Sequence, residues 1–131
     1  MRWLTLAAVM MVVSTGLCSE ARAGAEVARV TLTISGHDLV LHVEEGDHRS
    51  VVKAAGFELE GHADAKGLHL TLRTPGPDFF IDVDSHRVRV WFHALFDVDI
   101  KTFERHGEKI HECVDMPGLG DCCIDIAYTG V

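Results

Sequence analysis

Apolar and polar side chains alternate along most of the chain after residue 29, and helical periodicity is hard to find. In the segment from Val30 to Ile34 every second residue is apolar, and the segment from Leu39 to Val43 follows the same rule. Alternation with period two is typical of strands that bury one face. Turn-forming residues separate these segments at near-regular intervals. The pattern therefore predicts about eight short strands, at residues 30–34, 39–43, 51–52, 57–59, 68–72, 79–83, 88–92 and 96–100.

This cadence of strands predicts an all-β fold. An antiparallel sandwich, a small barrel and a short β-solenoid all fit the spacing, whereas a parallel α/β sheet lacks segments long enough for crossover helices. One short helical turn is expected between Thr102 and Glu112. The length of residues 24–131 favours a single domain with one core.

The N-terminal segment has the features of a secretory signal. Arg2 supplies positive charge, and a mostly apolar run from Leu4 to Leu17 follows it. That run is shorter than the roughly 20 residues that a membrane-spanning helix needs. Small residues at Ala21 and Ala23 predict cleavage before Gly24, so residues 1–23 are interpreted as a signal peptide. Export to a periplasm or to the extracellular space follows, with no membrane span after cleavage.

An alternative interpretation of the same segment is a lipoprotein signal. Cys18 follows the apolar run, as a lipidated cysteine would. Leu17, however, is bulky at a position where such signals carry a small residue. Cleavage before Gly24 is therefore preferred.

Charge narrows the classes of partner. The 131-residue chain has a formal net charge of −8, and removal of residues 1–23 would leave −9. Nucleic-acid binding depends on clustered Lys and Arg, and the four Lys of this chain have no basic neighbours. Nucleic acid is therefore excluded as a partner, and anionic lipid surfaces are disfavoured for the same reason. Cationic partners, including metal ions, remain.

The order of strands and turns resembles that of a known family. Three stretches carry the resemblance: ISGHDLVLHVEEGDHRSVVKAAG, GLHLTLR and FFIDVDSHRVRVWFHALFDVDI. Over roughly residues 30–100 they are similar in repeat spacing to the auto-transporter adhesin head domains of bacterial envelopes. The resemblance implies a stacked β-repeat at the cell envelope with no established enzymatic activity, and it transfers no functional residues. This chain departs from the family because it is short and ends in a cysteine cluster.

Three cysteines lie in the segment ECVDMPGLGDCC near the C-terminus. Export would place Cys113, Cys122 and Cys123 where disulfides persist, and three thiols cannot all pair within one chain. A bridge from Cys113 to either Cys122 or Cys123 would close a loop that contains one Pro and two Gly. The third thiol is then a free nucleophile, a metal ligand, or the link of a disulfide-bonded dimer.

Nine histidines on an acidic chain suggest a metal site that holds zinc or copper. One candidate set combines imidazole with thiolate in the C-terminal segment: His106, His111, Cys113, Cys122 and Cys123. A second set requires adjacent strands, because its members occupy the polar positions of three different strands: His42, His69 and His93. Neither set has the close spacing of an established zinc motif.

Three functions therefore remain open. The first is an exported, non-catalytic β-domain that binds a protein or an envelope surface, or that has a structural role there. The second is a periplasmic zinc- or copper-binding protein. The third is a thiol-disulfide active protein, which would need a reactive thiol with a depressed pKa.

Overall fold

Ten antiparallel strands form the protein, as seen in a computed structural model that describes residues 25–46 and 48–130. The signal peptide predicted over residues 1–23 lies outside the described residues. Within the described ranges, no helix has the length and apolar character that a membrane crossing requires. The strands are β1 Glu26–Ile34, β2 His37–Glu44, β3 Ser50–Ala54, β4 Phe57–Asp64, β5 Gly67–Arg73, β6 Phe79–Val83, β7 Arg87–His93, β8 Asp97–Glu104, β9 Lys109–Met116 and β10 Gly120–Tyr128.

The strands form two sheets that pack face to face. The four-stranded sheet has the order β2-β1-β10-β9, so the first and last strands of the fold pair at its centre. The six-stranded sheet runs β3 to β8 in chain order, as a continuous meander. Every pair of neighbouring strands is antiparallel. The all-β sandwich prediction is therefore confirmed.

The core lies between the two inner sheet faces. Twenty-four residues with apolar side chains are buried there, and no charged or strongly polar residue of the described chain is buried with them. Leu32, Leu70 and Phe79 are each at most 1% exposed and come from both sheets. Each fully buried side chain of this size contributes roughly 1.5–3 kcal/mol to folding. Charged and imidazole groups consequently lie on the outer faces and in the turns.

Two expectations about the C-terminal third were wrong. The helical turn expected between Thr102 and Glu112 does not form, because β8 continues to Glu104 and β9 begins at Lys109. The cysteine segment is a hairpin of two strands, which raises the number of strands from about eight to ten. Glu112 obscured the alternation of β9, since a charged residue occupies an inward position between Ile110 and Val114.

Polar contacts join the two sheets where β8 and β9 lie side by side. Lys101 on β8 forms an ion pair with Glu112 on β9, which explains how a carboxylate is tolerated at an inward position. Arg105 donates from Nη2 to the carbonyl of Tyr128 at 2.7 Å, and its guanidinium lies 4.8 Å from the centre of the Tyr128 ring. These contacts connect the end of the six-stranded sheet to β9 and β10 of the other sheet.

One disulfide joins neighbouring strands of the four-stranded sheet. Cys113 on β9 and Cys123 on β10 are directly paired in register and are bonded to each other. Cys122 points into the core, where it is fully buried as a free thiol. In this fold its sulfur is therefore not accessible to a second chain.

Removal of the disulfide is expected to destabilise the fold measurably. The bridge closes a loop across ten residues, and loop-closure entropy predicts a loss of about 2–3 kcal/mol in the free energy of unfolding for the double variant Cys113→Ser/Cys123→Ser. Urea unfolding followed by circular dichroism measures this loss. Reductant should lower the midpoint of the native protein and leave that of the variant unchanged. Equal midpoints for the native protein and the variant would contradict the prediction.

Candidate metal-binding site

The outer face of the six-stranded sheet carries a cluster of two imidazoles and a carboxylate. His62 and Asp64 lie two residues apart on β4, so both point to the same face. His69 on β5 is the direct cross-strand partner of His62. The β4–β5 hairpin thus brings three potential metal ligands together, and one ligand atom from each can be chosen so that all lie within 4.8 Å of one another.

A tight turn holds the carboxylate of this cluster. Asp64 Oδ1 accepts hydrogen bonds from the backbone amides of Lys66, at 2.8 Å, and Gly67, at 3.2 Å. Gly67 has a φ of +144°, and a Cβ at this position would lie 2.0 Å from the carbonyl oxygen of Val83 on β6. Only glycine permits this close approach of two strands, which sets where the turn ends and β5 begins.

The distances within the cluster are close to those of a coordination sphere. Nε2 of His62 lies 3.8 Å from Asp64 Oδ2, and Nε2 of His69 lies 3.1 Å from Asp64 Oδ1. The two imidazole rings have centroids 5.1 Å apart. Each carboxylate oxygen of Asp64 therefore faces one imidazole nitrogen.

A second carboxylate orients His69 from behind. His69 Nδ1 lies 3.1 Å from Asp82 Oδ1, while the indole Nε1 of Trp91 donates to Asp82 Oδ2 at 2.7 Å. Trp91 itself stacks on Phe80 with ring centroids 4.4 Å apart. In the neutral tautomer that donates from Nδ1 to Asp82, Nε2 carries a lone pair that can bind a metal ion. The arrangement is the carboxylate–histidine pair that commonly supports metal-bound imidazole.

The electrostatics of the cluster follow from these contacts. Partial burial lowers the pKa of His69, but the hydrogen bonds and negative charges of Asp82 and Asp64 outweigh that effect and raise the pKa above its usual value. The amide of Lys66 is the main cause of the lowered pKa of Asp64. The side chains of His62, His69 and Asp64 are about 28–36% exposed, so solvent and ions can reach the cluster.

Histidines of the predicted three-strand set do not meet. His42 lies on β2 in the other sheet, where its Nδ1 is 2.5 Å from Glu26. His93 lies at the opposite end of β7 and contacts Asp97 at 2.8 Å. Only His69 of that set belongs to the cluster. His42 is in the other sheet, and His93, although on the same outer face as His69, lies two strands away and four residues beyond the register position of His69.

The predicted C-terminal set of ligands is also separated. Cys113 and Cys123 are bonded to each other, so neither offers a thiolate. Burial raises the pKa of Cys122 to about 11 and encloses its sulfur in the core, which disfavours both ligation and thiol chemistry there. His111 pairs with Asp125 on the outer face of the four-stranded sheet, and the hydrogen bond that this carboxylate accepts raises the pKa of His111. His106 lies in the exposed β8–β9 loop, 3.9 Å from Glu104.

Sequence reasoning missed His62 and Asp64. The pattern alone suggests that the glycines at positions 61 and 67 separate strands, although Gly61 lies within β4. A Cβ at Gly61 would come within 2.7 Å of Leu70 and 2.9 Å of Leu41, so the glycine allows the two sheets to approach. The signal in the sequence that could have identified them is the spacing of two residues between His62 and Asp64, which puts both on one face of a strand. A hairpin at Gly67 then returns the chain so that His69 lies beside them.

The chain matches no family model, no curated protein and no solved structure. Its function is therefore inferred from its own side chains.

Substitution of Gly67 tests the role of the β4–β5 turn. Gly67→Ala should lower the free energy of unfolding by more than about 3 kcal/mol, because the new methyl would collide with the backbone of Val83. Gly36→Ala is the matched control, since Gly36 also has a positive φ but a methyl group there would meet no atom within 4 Å. It should cost only about 1–2 kcal/mol, from backbone conformation alone. Equal losses in urea unfolding would show that the close approach is unimportant.

Proposed function

We propose that this protein binds a divalent transition metal ion, zinc in the first instance, through His62, Asp64 and His69. The observation that carries the proposal is the convergence of these three side chains within 4.8 Å, with a carboxylate behind one imidazole. Imidazole nitrogen and carboxylate oxygen are ordinary ligands for zinc, and imidazole also suits copper. The ligand set differs from both sets that the sequence suggested.

The spacing of the ligand atoms supports this assignment. Zinc binds nitrogen and oxygen ligands at about 2.0–2.2 Å, so tetrahedral ligands lie about 3.4 Å from one another. The two observed nitrogen–oxygen distances, 3.8 Å and 3.1 Å, lie on either side of that value. Small rotations of the side chains would therefore complete the geometry.

Each residue has a distinct role in the proposed site. Nε2 of His62 and Nε2 of His69 supply nitrogen, and Asp64 supplies the negative charge that partly balances the ion. Asp82 holds the Nδ1 proton of His69, and Trp91 fixes Asp82 in turn. Three protein ligands leave a fourth position for water or for a further ligand, as in zinc sites that are not purely structural.

We also propose that the protein acts outside the reducing cytoplasm. The features of residues 1–23 support export, and the bond between Cys113 and Cys123 is consistent with an oxidising compartment. Because these two sulfurs are bonded to each other, neither can bind a metal ion in the exported protein. Imidazole and carboxylate groups are the ligands that remain.

Native mass spectrometry and calorimetry with zinc test the proposal. The mature protein, purified after export, should begin at Gly24 and bind one zinc ion. His62→Ala and His69→Ala should each weaken zinc binding by more than about 100-fold. Asp82→Asn should weaken it by about 10–100-fold, since it removes only the support behind His69.

Two control variants make the result specific. His93→Ala removes an imidazole from the same outer face, and His111→Ala removes one of the ligands suggested by the sequence. Neither should change the zinc affinity. Zinc binding that survives in His62→Ala but is lost in His111→Ala would overturn the proposed ligand set. A protein that takes up neither zinc nor copper would overturn the function itself.

A second candidate function is suggested by the β7–β8 turn. Leu95 is 96% exposed and Phe96 is 69% exposed, so two large apolar side chains project together into solvent. Adjacent exposed apolar residues are typical of contact points for other proteins. The acidic charge of the chain disfavours an anionic lipid surface, so a protein partner is the occupant that we propose.

Site-specific photo-crosslinking in the exporting cell tests this second candidate. A photoreactive residue in place of Leu95 should give a discrete adduct with one partner protein. The same residue in place of the exposed Ser85, in the turn at the opposite end of β7, should not. Identical adduct patterns at the two positions, or no adduct at either, would reject the turn as a docking point.

A further inference from the structure

A cleft of about 490 Å³ adjoins the proposed metal site on the outer face of the six-stranded sheet. It shares His69 and Asp82 with that site and extends over β6, β7 and β8. This volume is within the range of pockets that hold small molecules. The cleft is open to solvent on one side, so a ligand can enter without rearrangement of a strand.

The carboxylates that line the cleft are already engaged. Asp82 is held by His69 and Trp91, and Asp84 Oδ1 accepts the backbone amides of His86 and Arg87 at 2.7 and 2.6 Å. A third carboxylate, Asp99, accepts a hydrogen bond of 2.5 Å from Arg89, whose guanidinium lies 4.6 Å from the centre of the Trp91 ring. The carboxylates of the cleft therefore already have hydrogen-bond partners within the protein.

Two other cationic side chains line the cleft and, unlike Arg89, donate no hydrogen bond to a carboxylate among the described residues. Within the described part of the chain, the side chains of Lys66 and Arg87 form no hydrogen bond and no salt bridge, although the charge of Arg87 also acts on the Asp84 carboxylate. Lys66 belongs to the turn that holds Asp64, and Arg87 is the first residue of β7. Both turns lie at the same end of the sheet, because β4 and β6 run in one direction and β5 and β7 return.

We propose that the cleft binds a small molecule bearing a phosphate or carboxylate group, which takes the open position on the metal and is held by Lys66 and Arg87. This inference rests on the proposed metal site. A bound divalent ion adds positive charge beside His69, and an oxyanion is the ligand that complements an ion together with an ammonium and a guanidinium. Without these three charges the acidic chain would repel such a molecule.

The experiment uses cobalt(II) in place of zinc, because its visible absorption changes when a ligand on the ion changes. The cobalt-loaded protein is titrated with inorganic phosphate and, separately, with succinate. Either probe should shift the spectrum with saturation. Lys66→Met/Arg87→Met keeps the backbone amide that holds Asp64 and removes two positive charges, so it should bind cobalt at least as tightly as the native protein. It should nevertheless weaken binding of the responding probe by about tenfold or more. Comparison of the two titrations identifies whether phosphate or carboxylate is preferred.

A charge-matched control separates local contacts from net charge. Arg29→Met/Lys109→Met removes one Arg and one Lys from the four-stranded sheet, away from the cleft, and should leave anion binding unchanged. A protein that binds no cobalt would overturn the metal site as well. A cobalt-loaded protein that ignores both anions, or whose anion affinity is the same in both double variants, would overturn the cleft proposal alone. Anion binding that is equally strong without metal would overturn the proposal that the anion binds to the metal ion.

Discussion

The burial of two sheet faces against each other is the constraint on which the rest of this structure depends. Because successive side chains of a strand point to opposite faces, one register fixes which side chains enter the core and which face solvent. All buried side chains of the described residues are apolar or nearly so, and the imidazoles and most charges are left outside. A slip of one residue in β4 would bury His62 and Asp64 and expose Leu59 and Ala63. The same alternation that builds the core therefore also brings the candidate ligands together.

The cluster is precise because it is built on a hairpin. Short turns leave few backbone conformations, and Asp64 bonds the amides of its own turn while serving as a candidate ligand. The adjacent strand supplies Asp82, and the strand after it supplies Trp91, so three ladders support one imidazole. The disulfide lies in the other sheet, which shares no ladder with this one. Covalent stabilisation and the proposed chemistry are thus physically separate.

Sequence reasoning predicted the fold class well and the site poorly. Alternation of apolar and polar residues with period two is a property of the single strand. It therefore identified segments such as β1 and β7 without any knowledge of which strands pair with them in the sheet. It failed at β9, where Glu112 breaks the pattern and finds its partner Lys101 only across the gap between the sheets. A site depends on which strands are adjacent in the sheet, and the sequence pattern does not show this. His42 and His93 were therefore grouped with His69 although the structure separates them. The pairing of Cys113 with Cys123 required the same non-local knowledge, since Cys122 has an almost identical spacing.

The close contact of Gly67 with β6 has an evolutionary consequence. Because even a methyl group cannot be accommodated at this position, glycine should be retained there when other residues are substituted. The positions of the neighbouring residues can then be given relative to Gly67. His62, Asp64, Gly67 and His69 then define a short fingerprint, H-x-D-x-x-G-x-H, in which two intervals of two residues come from strand parity and the middle interval from the turn. A chain that keeps this hairpin against β6 should therefore keep glycine at the sixth of these eight positions.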